Sequence, residues 1–174
     1  MIGKIIFIGG IHGVGKSTIC KHICSELKME YLSASELLKW SEISEDSANK
    51  KVKDIIYTQE RLISGLEKKT QTGKQYLLDG HYCLFNKQNE IIKIPLETFK
   101  KINPISLIVI FGDILEIKKR LEKRDGEKYT GQHLERLQKE ELLYAKYLSK
   151  TLGITLNVSH QNNYLDLINS LKKL

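Results

Sequence analysis

Cysteine and proline are scarce in this chain, with three Cys and two Pro among 174 residues. Cys20, Cys24 and Cys83 are an odd and scattered set, too few for a disulfide framework or a thiolate metal site. Cys20 and Cys24 are four residues apart on one predicted helix and read as small apolar packing groups. Reduced thiols and a cytoplasmic location are therefore the expectation. Pro95 and Pro104 both fit loops, and no linker, low-complexity tract or internal repeat divides the chain. No apolar run approaches the ~20 residues that a membrane span needs. Met1-Ile2-Gly3-Lys4 leads directly into an apolar run without a signal-peptide pattern, so no membrane partner is expected. Aromatic residues make up only 7% of the chain and do not interleave with a basic cluster, which bears on the net charge of +7. A basic chain invites polyphosphates or nucleic acid. Because the charge is spread along the length, a lysine-rich surface accounts for it more simply, and nucleic acid is the less favoured partner. The length suffices for one domain with its own core, spanning residues 1–174.

Against these absences one stretch stands out: Gly10-Ile11-His12-Gly13-Val14-Gly15-Lys16-Ser17. It has the spacing G-x-x-x-x-G-K-S of a phosphate-binding P-loop. Lys4–Ile8 before it reads as a buried strand, and Ser17–Leu27 after it carries Ile19, Ile23 and Leu27 at helical spacing. Strand, glycine loop and helix together make a chance match on a tight turn a poor explanation. Gly10, Gly13 and Gly15 allow backbone conformations closed to other residues. The N–H groups of the loop, Val14 included, can then form an anion nest at the positive end of the helix. Lys16 would reach the β- and γ-phosphates, Ser17 would hold Mg²⁺, and Thr18 could donate to the α-phosphate. A nucleoside triphosphate, ATP or GTP, is the ligand these residues imply.

The remaining pattern alternates strands with helices. Met29–Leu32 reads as a short strand, with Ser33 or Ser35 capping a helix through Glu36–Trp40. A polar loop over 41–47 is followed by an amphipathic helix from about Asn49 to Lys69, on which Val52, Ile55, Ile56, Leu62, Ile63 and Leu66 keep helical spacing. Gln75–Asp79 is a strand, His81–Asn89 a loop, Glu90–Ile94 a minor extended piece and Glu97–Ile102 a short helix. Ile105–Phe111 is apolar on both faces, as an interior parallel strand should be. A helix over Ile114–Arg124, a polar loop over Asp125–Gly131, a helix over Gln132–Leu152, a strand over Ile154–Val158 and a closing helix over Asn162–Leu171 complete the chain. The expectation is an α/β three-layer P-loop NTPase fold: a five-stranded parallel sheet with helices on both faces. In such sheets ligands bind beyond the carboxyl ends of the strands. The P-loop, Asp79-Gly80-His81, Gly112-Asp113 and Ser159-His160 all fall on that rim.

Several residues on the rim suit phosphoryl chemistry, and each has a plainer alternative. Asp79 could hold waters of the Mg²⁺ shell or take a proton from an acceptor hydroxyl; it could also be a turn aspartate beside Gly80. Its strand-end position favours chemistry. Arg120 and Arg124 lie four apart on one helix and lead into the 125–131 loop, with Arg136 just past it. Cations on a short lid would cover a moving phosphoryl group and exclude water; on helix pattern alone they read as a solvated face paired with Glu116 and Glu122. His81 divides evenly between a substrate contact and an exposed loop residue, and His12 reads as a space-filler.

With these residues placed, the chain resembles the adenylate kinase-like nucleoside monophosphate kinases. Gly10–Ser17 matches that family's ATP site, and Leu77-Leu78-Asp79-Gly80 is similar to the leucine-aspartate-glycine run ending its third strand. Tyr31–Lys39 resembles the start of its acceptor region, which implies Ser33, Ser35 and Lys39 as acceptor contacts within about residues 33–70. Arg120 and Arg124 match the pair that opens its lid, here about residues 125–131, and Arg136 takes the place of an arginine closing from beyond it. The Ser159–Asn162 turn, with His160, falls where the family holds the adenine. The resemblance implies ATP and Mg²⁺ as cofactors and a nucleotide-like small-molecule acceptor. The chain departs from the family where Leu-Asp-Gly usually continues with phenylalanine, proline and a phosphate-gripping arginine; here it runs His81-Tyr82-Cys83. Lys39 stands for the other acceptor-side arginine, and a point charge lacks the bidentate fork. The lid has no cysteine, which excludes a zinc-bearing lid.

Three readings follow. The first is transfer of the γ-phosphoryl group of ATP to a nucleoside monophosphate or related acceptor. The second is a kinase of a nucleic-acid 5′-hydroxyl or a hydroxyl metabolite, with Asp79 or His81 as base. The third is a slow ATPase acting as a switch or assembly factor.

Overall fold

The computed structural model describes residues 2–38, 55–86, 88–126 and 129–174. The expected cap-to-helix stretch beyond Leu38, the loop over 41–47, the first turns of the Asn49–Lys69 helix, and Lys39, Trp40 and Val52 lie outside them.

Five strands form one parallel sheet in the order β2-β3-β1-β6-β7. They are β1 (Lys4–Gly9), β2 (Glu30–Ser33), β3 (Gln75–Asp79), β6 (Ser106–Phe111) and β7 (Thr155–His160). The apolar runs dictate this order. In β1 every residue after Lys4 is buried, and β6 is buried from Ser106 to Ile110, so both strands are covered on both faces and belong inside the sheet. The edge strands β2 and β7 have no such runs. Helix α1 (Lys16–Leu27) buries Ile19, Cys20 and Ile23 and packs on β3. Helix α6 (Gly131–Leu152) buries Leu134, Leu137, Glu141, Tyr144, Ala145 and Leu148, a stripe at helical spacing, and packs on β6. Each fully buried Ile or Leu contributes about 1.5–3 kcal/mol. One contiguous core therefore holds the described residues together.

The other helices are α2 (Ala34–Leu38), α3 (Ile55–Lys69), α4 (Leu96–Ile102), α5 (Ile114–Asp125) and α7 (Leu165–Leu171). Asp113 caps α5, accepting from the Glu116 N–H at 2.9 Å, and Gly126 ends it in the left-handed conformation. Among the described residues no helix is long and apolar enough to cross a membrane.

The structure corrects the expected order in three places. Cys83–Phe85 (β4) and Ile91–Lys93 (β5) form an antiparallel hairpin where a plain loop over 81–89 was expected. Asn86 makes the turn, its Oδ1 accepting from the Gln88 and Glu90 N–H groups at 2.9 and 2.8 Å. Three-residue strands are too short for alternation to show in a sequence. Second, β7 continues through Ser159 and His160, in register with Ile110 and Phe111. Third, the closing helix begins at Leu165 because Ser159 and His160 tie down Asn163: the Ser159 hydroxyl donates to its carbonyl at 3.0 Å, and its N–H donates to the His160 carbonyl at 3.0 Å.

β1 is the hub. The chain moves outward from it to β2, returns to β3, then crosses to β6 on the other side, which makes the carboxyl end of β1 the topological switch point. Packing there is tight: a Cβ on Gly9 would lie 2.3 Å from the Tyr82 ring. That ring is fully buried, with its hydroxyl donating to the Ile108 carbonyl at 2.9 Å. Gly9→Ala is expected to destabilise the fold by about 2 kcal/mol or more, since an added methyl has no room to relax. Urea unfolding measures this, and a shift within experimental error would show that the Tyr82 contact yields.

Candidate functional site

The β1–β3 register sets the chemistry. Ile8 lies opposite Asp79, so the P-loop leaves the sheet beside the strand that ends in a carboxylate. Gly10, Gly13 and Gly15 all have positive φ (149°, 79° and 94°). No other residue type adopts this run without strain. At Gly10 a Cβ would also lie 2.5 Å from the Ile110 carbonyl oxygen. Gly15 caps α1 without a side-chain hydrogen bond, which suits a helix start that faces an anion. Val14 buries its side chain in the core and can offer a ligand only its backbone.

Lys16 is buried, with Nζ donating to the Gly10 carbonyl at 2.6 Å. It lies 3.9 Å from Asp79 Oδ1, an ion pair too long for a direct hydrogen bond. Asp79 Oδ2 accepts from the Tyr31 hydroxyl at 3.1 Å. Burial raises the Asp79 pKa, while Lys16 and the Tyr31 hydrogen bond oppose the shift. Ser17 and Thr18 in the first turn of α1 line the same cavity. The Ser17 hydroxyl and the Asp79 carboxylate are hard oxygen donors, a set that fits Mg²⁺ arriving with nucleotide phosphates and waters. Among the described residues no cluster of three or more His, Cys, Asp and Glu could hold a metal by protein ligands alone.

The cavity has a volume of about 920 Å³ and runs from the P-loop past Asp79, Gly80 and His81 to the β4–β5 hairpin, α2 and α3. Ser33 and Ser35 line it, their hydroxyls 2.9 Å apart. Gly80 lies against the Phe7 ring, where a Cβ would come within 2.8 Å. The His81 ring packs against His12 at a tilt of 39°, with centroids 4.2 Å apart. Burial, then the charges of Lys16 and His12, push the His81 pKa well down, so the imidazole stays neutral. Its Nε2 is buried without a hydrogen-bond partner among the described residues.

The expected cations do not all converge. Arg120 lines the cavity, with its guanidinium 3.5 Å from a Cβ position on Gly15. Its Nη2 donates to Gln161 Oε1, while the Gln161 amide donates to Glu116 at 2.7 Å. Arg124 also lines the cavity but commits both forks to Asp125, at 2.5 and 2.9 Å. Arg136 is exposed on α6 and does not line the cavity. His160 packs on the Phe111 ring and lines a separate groove of about 320 Å³ with Asp166 and Ser170. Gln161, which sequence reasoning passed over, holds the position facing Arg120. β7 runs on to His160, and Gln161, the first residue past it, is tied to the Phe111 carbonyl through its N–H at 2.8 Å and faces Arg120.

Glu141 is the other residue the sequence concealed. It sits in the apolar stripe of α6 and is fully buried. Its Oε1 accepts from the Tyr82 and Cys83 N–H groups at 3.0 and 3.1 Å. Its Oε2 lies 3.2 Å from a Cβ position on Gly9. Burial is the main cause pushing its pKa up to about 7, while Lys16 and the backbone donors oppose the shift. The thiols are similarly affected: burial raises Cys83 to about 12 and Cys24 to about 11, which leaves them protonated and unreactive.

A family model for the AAA domain matches residues 9–138, from the end of β1 into α6. No curated protein matches the chain significantly. Among solved structures, a gluconokinase from Sinorhizobium meliloti 1021 is similar over 95% of this chain and 86% of its own, at 12% identity and a TM-score of 0.50. An uncharacterized protein from Eubacterium ventriosum ATCC 27560 covers 98% of this chain and 96% of its own, at 15% identity and a TM-score of 0.49. At 12% identity the likeness to the gluconokinase is one of fold.

The raised pKa of Glu141 makes stability depend on pH. The folded state holds the proton more tightly than the unfolded chain, whose glutamate titrates near the ordinary 4.5. Stability from this group is therefore full below that value, falls as pH rises toward 7, and is level above it. The difference amounts to about 3 kcal/mol. Glu141→Gln cannot titrate, so the gap between variant and wild type in urea unfolding should move by that order between pH 4.5 and 7.5. A constant gap would mean that Glu141 does not titrate in this range.

Proposed function

The chain belongs to the AAA domain family, and on that premise we propose that it is an ATP-dependent phosphotransferase acting on a small-molecule acceptor. One observation carries the reading: Lys16 at the start of α1 and Asp79 at the end of β3 stand 3.9 Å apart, where the P-loop opens into a cavity that continues well past the phosphate site. A simple ATP switch has no need of that second compartment, which α2, α3 and the β4–β5 hairpin enclose. The resemblance to adenylate kinase-like nucleoside monophosphate kinases supports the same division, with residues 33–70 as the acceptor region.

In the proposed reaction the P-loop N–H groups, Lys16 and Thr18 hold the triphosphate. Ser17 and Asp79 would hold Mg²⁺, which would supply neutralisation of phosphate charge when bound. An acceptor oxygen attacks the γ-phosphorus in line, the bond to the β–γ bridging oxygen breaks, and ADP leaves. Lys16 and Arg120 stabilise the charge spread over the moving group. Arg124 joins them on release from Asp125. If the acceptor is a phosphate, its oxygen is already anionic and no base is needed. If it is a hydroxyl, its proton passes to Asp79 or to His81. The second case has an observation in its favour, since His81, two residues past Asp79, is a neutral imidazole with a nitrogen unpartnered among the described residues.

Lys16→Ala should weaken Mg-ATP binding by about 100-fold, as expected for loss of charged hydrogen bonds to phosphate. Asp79→Asn should leave Mg-ATP binding in place while lowering transfer by about 100-fold or more. Labelled-ATP transfer to AMP, CMP, UMP, GMP, their nucleosides and a 5′-hydroxyl oligonucleotide identifies the acceptor. Transfer to no member of the panel, with ATP turnover appearing only on addition of a protein partner, would mean a switch. Unchanged turnover in Asp79→Asn would remove that residue from the mechanism.

A further inference from the structure

The segment His81-Tyr82-Cys83 is where the chain departs from the family it resembles, and the structure shows what holds it. Tyr82 sends its ring under β1 against Gly9 and into contact with Phe7 and Phe99, with centroids 5.0 and 5.8 Å away. The Tyr82 and Cys83 N–H groups both point to one atom, Glu141 Oε1. The other oxygen of that carboxylate lies against Gly9, the last residue before the P-loop. A single buried side chain on α6 thus touches the strand end that launches the loop carrying Lys16 and the backbone that follows Asp79 and His81. A leucine would suit the surrounding stripe better, because a buried carboxylate carries a desolvation cost that an apolar side chain of similar volume does not.

We propose that Glu141 is a positioning residue of the phosphoryl-transfer site, pinning the turn after Asp79 and His81 to the base of the P-loop and placing a negative charge behind Lys16. This rests on the phosphotransferase reading given above. Two consequences separate it from a merely structural role. Substrate affinity, carried by the P-loop itself, is largely spared, and loss falls on turnover. The charge also matters apart from the shape. The titratable groups facing Glu141 are Lys16 from α1 and Tyr82 and Cys83 from the turn into β4. Burial keeps the Tyr82 phenol and the Cys83 thiol protonated, so the charge changing near neutrality within this group is that of Glu141.

The experiment compares wild type, Glu141→Gln and Glu141→Leu in the full chain. Mg-ATP affinity is read by calorimetry, and single-turnover release or transfer of the labelled γ-phosphoryl group is read from pH 5.5 to 9. Gln keeps the accepting oxygen and the shape but never ionises. It should therefore behave at every pH as the wild type does at low pH, with turnover about tenfold below wild type at pH 8.5 and Mg-ATP affinity within about threefold. The wild-type rise centred near pH 7 should be absent. Glu141→Leu frees both N–H groups and should lose about 100-fold, the scale of a misplaced catalytic group. If Leu fails to fold, Gln alone decides. A Glu141→Gln variant with wild-type turnover and the same pH rise overturns the proposal. So does a loss of turnover matched by an equal loss of affinity and a lower melting temperature, since that is what a structural residue gives. A wild type that binds no Mg-ATP, or turns none over with water or any acceptor in the panel, overturns the phosphotransferase reading itself, and is seen before any variant is compared.

Discussion

The parallel pairing of β1 with β3 is the constraint on which the chemistry of this molecule depends. Ile8 opposite Asp79 places one carboxylate beside the point where the P-loop leaves the sheet. A slip of one residue would turn Asp79 to the other face of the sheet. That register is held by residues with no chemistry of their own: Ile5, Ile6, Phe7 and Ile8 on one strand and Tyr76, Leu77 and Leu78 on the other, all buried. Burial of apolar area, a non-directional force, is thus converted into a 3.9 Å placement of Lys16 against Asp79.

The second layer of placement is polar and more costly. The P-loop takes positive φ at three glycines, and the turn just past β3 must set His81 against it. The structure manages this with few groups. Tyr82 fills the space that Gly9 leaves open, Gly80 passes the Phe7 ring where a side chain would not fit, and Glu141 collects two backbone N–H groups from the turn. On the far side Arg120, Gln161 and Glu116 form a chain of hydrogen bonds across the mouth of the P-loop. The donor side is therefore framed by two polar networks, one buried and one at the surface, with Lys16 between them. Compartments differ accordingly: the phosphate end is polar and cationic, whereas Leu38, Leu62, Phe85, Ile92 and Phe99 are among the residues walling the distal end.

Much of this was legible in the residues. Local signals carry local structure, so the glycine spacing of residues 10–17, the apolar runs of β1, β3 and β6 and the helical stripes of α1 and α6 named the P-loop and the fold class. Asp79 could be singled out because a charged residue ending an apolar strand is a positional signal. The β4–β5 hairpin escaped because three-residue strands have no periodicity to read and depend on a turn built by the Asn86 side chain.

The rest required knowing which distant residues meet. Glu141 is one glutamate among many on a lysine-rich chain, and its burial follows from β1, β4 and α6 closing over it, contacts about 60 to 130 residues apart in sequence. Arg136 and Arg120 look equivalent on a helix pattern, yet packing turns one outward and sets the other over Gly15. His160 and Gln161 differ by one position, and a strand that ends two residues later than its apolar run suggested sets the first against Phe111 and leaves the second, just past the strand, facing Arg120. Spacing along the chain determined the elements and the ligand class, since both arise from interactions between near neighbours. Which side chains share a site was decided by long-range packing, because burial, charge neutralisation and strand register are properties of segments brought together only when the core closes.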